Sequence, residues 1–508
     1  MESPSVAKRS PVLIAGAGPA GLMTGCLLKK YGISFRILDQ RKTVMPSSGA
    51  LLVHLPALEL LDSLGLLGNA LHMGVPAKRV VLTSGSKSPV QLELGYAGNI
   101  PRMLMLEQGK TEKLLADFLF GQGQQVEREK KITGIKDDAN GITVEIRTGA
   151  GFRETIRTRF LIAADGVNSL IREKYAIAFP GKTHPFRLCL ADCRANIGLG
   201  SGEIGFVFTK DLSAGFFPIS GNRWRIDLTA PFSGRKITFA DLGFMLRTVE
   251  VEAGHPDWFS VFRSHRGCAA SFRSSNCFLI GDAAHVFSPV GARGMNTAWD
   301  DARNLAWKIA LAVRGKAAAS LLDSYEEECR PVALKTGRIT DWFFMMMASP
   351  RSSRKFLRLY LLPRAIRLLS DSAFLREWVF RRISGATIHY GGSKQNTHGR
   401  FPRRMPRPGS RWPVGRIPLP HAGFFHLLIF SNGEVPPAFM QAVASWRAFL
   451  HFRHLPLQKP PGMQKEGFYL VRPDGYITCR SDRLEPAILT GSISKFVKPD
   501  ERPQRKTI

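Results

Sequence analysis

The sequence predicts an α/β protein: a nucleotide-binding core, a mostly β insert and a small α/β unit at the C-terminal end. Three observations carry this reading. A strand, a glycine turn, a helix and a second strand follow one another from Pro11 to Asp39. Short alternating runs between Gly, Ser and Asn turns fill residues 180–261. Nucleotide-fold character then returns at 277–280, an apolar run that ends in Gly281-Asp282.

The elements follow in order. Residues 11–15 form a continuous apolar run, as a strand buried on both faces does. Residues 20–31 have helical spacing, and 34–38 form the second strand, which ends at Asp39. Residues 55–67 and 107–120 read as helices, whereas 142–147 and 155–163 alternate as strands, the latter delivering Asp165. Strands at 205–208 and 223–228 belong to the insert. Helices are expected over 294–313 and 320–335, and basic amphipathic helices over 349–390, interrupted at Pro363. Residues 400–420, rich in Pro and Arg, read as a linker. A strand at 424–430, a helix near 435–449 and strands within 467–480 complete the chain. The expected divisions are 1–179 and 266–399 for the two parts of the core, 180–265 for the insert, and 400–508 for linker and last domain.

Composition bounds the function. With 508 residues, 44% hydrophobic and 22% charged, the chain has the balance of an ordinary globular protein of two or three domains. The N-terminal residues are polar without a signal-like apolar region, and no run reaches the roughly 18 apolar residues of a membrane span. A soluble, cytoplasmic protein is expected. The seven cysteines are scattered and include no Cys-x-x-Cys pair, so they read as reduced structural thiols, and no metal site is expected. Net charge is +30, and residues 351–416 hold sixteen Lys or Arg against two acids. Such a field attracts anionic partners, such as a membrane surface, or is simply a solvated face. No nucleic-acid motif accompanies it, so nucleic acid is not expected.

The glycine turn carries the first chemistry. Gly16 permits the tight turn, Gly18 lets the backbone approach a pyrophosphate, and Gly21 lets helix and strand pack. Pro19 and Ala20 open the helix, whose N-terminus carries partial positive charge toward the phosphates. Asp39, 23 residues after Gly16, stands where a carboxylate accepts ribose hydroxyls, with Gln40 and Arg41 beside it. An acid here suits a dinucleotide without a 2′-phosphate, FAD or NAD.

Four further segments follow at a telling order and spacing. They are Gln108 with Thr111-Glu112 and Leu114-Leu115, then Ala164-Asp165-Gly166, then Gly281-Asp282-Ala283-Ala284-His285, and last Pro289 with Gly291-Ala292-Arg293-Gly294-Met295-Asn296. Together with the glycine turn they resemble the FAD-dependent aromatic hydroxylases, the single-component flavoprotein monooxygenases. The resemblance covers nearly the whole chain. Arg407-Pro-Gly-Ser-Arg-Trp-Pro413 and Tyr469-Leu-Val-Arg-Pro-Asp-Gly-Tyr476 look like the linker and last domain of the larger members, which act on phenols, hydroxyphenylpropionates and polyketide aromatics.

The resemblance implies a Rossmann-like FAD-binding domain, a mostly β substrate domain and a C-terminal thioredoxin-like domain. It implies that Gln108 contacts the FAD linker, that Asp282 binds the ribityl chain, that Asp165 belongs to the FAD site, and that Gly291, Gly294, Met295 and Asn296 lie at the flavin ring. It implies NADPH or NADH as a transient co-substrate, O2, and hydroxylation of a small, phenolic aromatic through a flavin C4a-hydroperoxide. A homodimer is expected. Phe216, Phe217 and Arg225 are the candidates for lining the substrate. Gly49 stands where members often carry an arginine at the flavin, within Ser48-Gly49-Ala50, and Cys329 is expected to be peripheral. His285 is expected to support the flavin loop and His54 to cap or pack a helix start, and no catalytic acid or base is assigned. Two alternatives stay open: other redox chemistry on the same fold (a reductase, epoxidase or halogenase), and a non-catalytic FAD-binding, membrane-docking protein.

Overall fold

The computed structural model describes residues 8–44, 49–85, 88–139, 141–230, 237–391, 396–399, 405–413, 419, 423–457 and 466–498. The elements that position the site begin with β1 (Lys8–Ala15), α1 (Pro19–Lys30), β2 (Arg36–Leu38), β3 (Leu52–His54), β4 (Arg79–Ser84), β5 (Val90–Glu93), α2 (Gln108–Gly121) and β6 (Arg153–Ala163). There follow β7 (Gly181–Asn196), β8 (Glu203–Phe208), β9 (Ser213–Pro218), β10 (Arg223–Ala230), α3 (Phe239–Arg247) and β11 (Glu252–Cys268). The chain then forms β12 (Cys277–Leu279), α4 (Arg293–Val313), α5 (Ser324–Ala348), α6 (Leu362–Asp371) and α7 (Ala373–Ile383).

The first sheet explains why distant motifs meet. β1 lies between β2 and β6, parallel to both, and β12 runs parallel to the end of β6. Ala15 stands opposite Leu38 and Ala163, and Ala163 opposite Leu279. Four strand ends are therefore level, and the next residues are Gly16, Asp39, Ala164-Asp165 and Ile280-Gly281. Parallel α/β sheets place ligands at this carboxyl edge. Val12 to Ile14 and Phe160 to Ile162 are buried to 1% exposure or less, which accounts for their continuous apolar runs.

The second sheet has eight strands in the order His285–Val286, β11, β7, β10, β9, β8, β4 and β5. It is not confined to the expected interval 180–265. β4 joins it by pairing parallel to β8, and β5 pairs with β4. Such pairing between segments over a hundred residues apart leaves no local pattern in the sequence. Strand alternation then divides the faces. Cys189, Ala191, Phe216, Trp224, Ile226 and Leu228 form one buried cluster with Leu242 and Leu246 of α3. Leu188, Leu190, Phe217, Arg225 and Asp227 face the other way, into a cavity.

Local boundaries moved for identifiable reasons. The helix expected over 55–67 ends at Ser63 and restarts at Leu67, because Gly65 takes a left-handed turn with φ of 74°. Pro363 does not interrupt the basic helices. It follows a π-helical turn, Leu357–Leu361, in a helical run that continues to Asp371, and the break falls at Ser372. The expected linker 400–420 lies outside the described residues except for 405–413 and 419.

The C-terminal unit is a five-stranded mixed sheet in the order Asn396–His398, Ile477–Ser481, Gly467–Val471, Phe425–Phe430 and Leu450–Leu455. It docks on α4 and α5 through a buried charge cluster. Glu328 accepts from Lys308 Nζ at 2.8 Å and pairs with Arg472, which also holds Asp474 at 2.6 Å. Cys329, expected at the periphery, is instead 3% exposed beside this cluster.

Candidate active site

A cavity of about 1330 Å³ extends from the level strand ends to the inner face of the eight-stranded sheet. Of the residues singled out in the sequence, Gly16, Gly18, Pro19, Ala20, Asp39, Gln40, Arg41, Gln108, Asp165, Gly281, Asp282, Pro289, Gly291, Gly294 and Met295 line it, as do Phe217 and Arg225. Gly21, Phe216 and Asn296 do not. Phe216 is corrected by parity: it neighbours Phe217 on β9 and so points to the opposite face, where it is fully buried.

The glycine turn is shaped by close approach. Gly16 has φ of 98°, and a Cβ there would stand 2.2 Å from the carbonyl oxygen of Ala164. A Cβ on Gly21 would stand 1.9 Å from the carbonyl oxygen of Gly16, so its role is packing α1 against the turn. Gly18 caps α1 without any side-chain hydrogen bond, leaving first-turn amides at the cavity wall. The N-terminus of α4 is similar. Ala292 precedes it in the left-handed region with φ of 50°, again with no side-chain cap. Two helix N-termini therefore present partial positive charge to one cavity.

Asp39 is held firmly. Its carboxylate accepts from Ala17 N at 2.8 Å, from Arg41 N at 2.7 Å and from Arg41 Nη2 at 2.9 Å. Burial works against its charge, yet the Arg41 and Ala17 donors outweigh it and hold the carboxyl below its ordinary range. Asp165 accepts from Ile171 N at 3.2 Å through Oδ2, while Oδ1 is buried without a hydrogen-bond partner. Burial raises its carboxyl, and burial likewise raises that of Asp282.

The flavin-motif loop is braced from behind. Asn296 is 4% exposed; its amide donates to Leu52 O at 2.9 Å and Ala292 O at 2.7 Å, and its Oδ1 accepts from His54 N at 2.9 Å. His54 Nε2 donates to Gly291 O at 2.9 Å, and burial, with Arg293 nearby, pushes the imidazole down to about 4, so it is neutral. His285 contacts Asp301 at 2.7 Å, and Asp301 accepts from Gly281 N at 3.2 Å. Both histidines therefore fix loops, and of the two His54 also lines the cavity.

The far wall is aromatic with one polar strip. Phe206, Phe208, Phe217, Leu188 and Met346 supply apolar surface. Arg225, Asp227 and Thr229 alternate along β10 on this same face. Arg225 is 2% exposed, forms a two-toothed ion pair with Asp192 with one contact of 2.8 Å, and lies over Trp258. Burial opposes its charge, but Asp192 outweighs burial and raises its pKa. Asp227 Oδ1 is sealed from solvent without a hydrogen-bond partner; burial, with Asp192 adding and Arg225 opposing, lifts its carboxyl to about 6. Sequence reasoning missed Asp192 and Asp227. The pattern Arg225-x-Asp227-x-Thr229 held the signal, but an alternating polar face is ordinarily assigned to solvent.

Residues 9–340 match the FAD binding domain family. Similar proteins include an uncharacterized aromatic compound monooxygenase of Bacillus subtilis, 31% identical over 63% of this chain; the match spans 65% of that relative's length. A second is the 6-methylpretetramide 4-monooxygenase of Streptomyces rimosus, 28% identical over 96% of this chain and 94% of its own. Among solved structures, the anhydrotetracycline hydroxylase OxyS of Streptomyces rimosus superposes with a TM-score of 0.75 at 26% identity, covering 97% of this chain and all of that one. The uncapped helix ends, unpartnered Asp165 oxygen and glycine cradle of the present chain fit a flavin dinucleotide, and the chain belongs to the FAD-dependent aromatic hydroxylase family.

Proposed function

We propose that this protein hydroxylates an electron-rich, phenolic aromatic compound with O2 and NADPH or NADH, in the cytoplasm. One observation carries the reading: a single cavity joins the nucleotide edge of the first sheet to the Arg225–Asp227 strip of the second. Bound FAD supplies electron transfer from NAD(P)H to O2 and delivery of one oxygen atom to the ring.

The residues have separable tasks. The α1 N-terminus with Gly16, Gly18, Pro19 and Ala20 receives the pyrophosphate. Asp39, with Gln40 and Arg41, receives the adenosine ribose; because Arg41 already engages the carboxylate, its guanidinium must share or swing aside. Gln108, Asp165, Gly281 and Asp282 hold the middle of the cofactor. Pro289, Gly291, Gly294 and Met295 shape the ring site, where α4 favours negative charge on the reduced ring. Arg225 and Asp227 orient the substrate, with the Asp227 carboxylate accepting a hydrogen bond from a phenolic OH. The Phe206, Phe208 and Phe217 rings stack on the substrate and exclude water.

We read the C-terminal sheet as a thioredoxin-like domain that, without a Cys-x-x-Cys, has a structural role and contributes to a homodimer. The names of the relatives, an aromatic compound monooxygenase and an anhydrotetracycline hydroxylase, support the substrate class. The test is NAD(P)H oxidation by FAD-loaded protein with a panel of phenols and polycyclic phenols, with product mass measured under ¹⁸O2. One class should both stimulate oxidation and gain a single labelled oxygen. Stimulated oxidation without label in any product would exclude hydroxylation.

A further inference from the structure

We infer that the outer faces of α6 and α7, with the turn preceding them, dock on an anionic lipid surface. This goes beyond the hydroxylase reading and does not depend on it. Residues 351–383 hold nine Lys or Arg and two acids, and one acid, Glu377, is already paired with Arg102 at 2.6 Å.

The two helices are divided lengthwise. Leu362, Ile366 and Leu369 of α6, spaced for one helical face, line the substrate cavity, as do Val379 and Phe380 of α7. The opposite side of α6 exposes Arg364, Arg367 and Leu368, the last 66% exposed. On α7 the exposed residues include Phe374, Leu375, Trp378, Arg381 and Arg382, with Phe374 at 77%. Arg382 lies 4.1 Å over the Trp378 ring, and just upstream Phe356 and Tyr360 are exposed and 5.2 Å apart.

A face meant only for solvent would carry the arginines without the large rings. A face meant for another copy of this chain would set like charge against like charge if the patch met itself. Arginines flanking exposed Trp, Phe and Leu on an amphipathic helix match an interface where cations meet anionic headgroups and rings enter the acyl boundary. The same helices wall the cavity, so docking places the substrate chamber one helix thickness from the lipid. An apolar aromatic substrate dissolved in the membrane would thus lie beside its entry wall.

The experiment is co-sedimentation of the FAD-loaded full chain with vesicles of phosphatidylcholine alone and with phosphatidylglycerol added. Binding should require the anionic lipid, and the Arg381→Glu/Arg382→Glu variant should bind about tenfold more weakly. Phe374→Ser/Trp378→Ser, both at exposed positions, should lose binding at raised salt while keeping its bound flavin. Equal binding to both vesicles, or none to either, would overturn the inference. So would sedimentation showing a dimer that dissociates in the serine variant, since the face would then be covered by a second copy.

Discussion

Arg225 donates through Nη1 to the main-chain oxygen of Gly49, 3.2 Å away. A guanidinium from the eight-stranded sheet therefore grips the segment that leads into β3, where the sequence itself places glycine and no cation. The ion pair with Asp192 aims that guanidinium, so the two walls of the cavity are tied at one point.

Breaking this tie should be costly and asymmetric. Arg225→Met leaves the Asp192 carboxylate buried beside Asp227, and about 3–5 kcal/mol of stability should be lost. Arg225→Met combined with Asp192→Asn should recover much of that loss, measured by urea denaturation. Arg225→Lys keeps charge but not the fork, and should loosen the Gly49 segment, seen as faster FAD release by fluorescence. If all three variants denature at one midpoint, the pair does not aim the wall.

Asp227 should cost stability and serve activity. Its folded value of about 6 lies above the ordinary 3.8, so the folded state resists ionisation and stability falls as pH rises between these values. Asp227→Asn should therefore be more stable than the parent at pH 7, by up to about 3 kcal/mol, with the difference closing below about pH 4. Phenol-stimulated NAD(P)H oxidation should fall about tenfold or more in kcat/KM in the same variant, since a charged hydrogen bond is lost. In the parent, kcat/KM should drop as pH falls through 6. A variant no more stable at pH 7 would mean that the carboxylate is not stranded.

What the sequence made legible was what short range controls. Gly16, Asp39, Asp165 and Asp282 each follow a strand, and strand ends are readable from apolar runs and turn residues. That these ends are level needed only the rule that parallel strands deliver ligands at one edge. The far wall of the cavity was harder. Phe216 and Phe217 were equal candidates until the register of β9 decided between them, and register depends on pairing with β8 and β10. The bracing role of the Asn296 side chain was not legible, because its three partners, from β3 and the loop, lie up to 244 residues away.

Asn296 is accordingly a brace with a measurable effect. Asn296→Leu removes both donors and the acceptor, leaving the Leu52 oxygen and the His54 amide buried without their partner. A loss of about 2–4 kcal/mol is expected, with weaker FAD retention but an unchanged phenol KM in whatever fraction stays loaded. A raised phenol KM at full FAD occupancy would place Asn296 in substrate contact instead.

Glu328 should set the acid limit of the interface between α5 and the C-terminal sheet. Burial opposes its charge, but Arg472 and Lys308 outweigh burial and hold its carboxyl at about 2, against an ordinary 4.5. A depressed carboxyl contributes stability that is complete above its unfolded value and is lost as pH falls toward its folded one. About 3 kcal/mol should therefore fade between pH 4.5 and 2. Glu328→Gln leaves Lys308 and Arg472 buried around a neutral amide and should cost about 3–5 kcal/mol at pH 7. The gap between parent and variant should narrow steadily as denaturation is repeated toward pH 3. A gap that stays constant with pH would show that the loss comes from packing and that the charge at Glu328 contributes nothing.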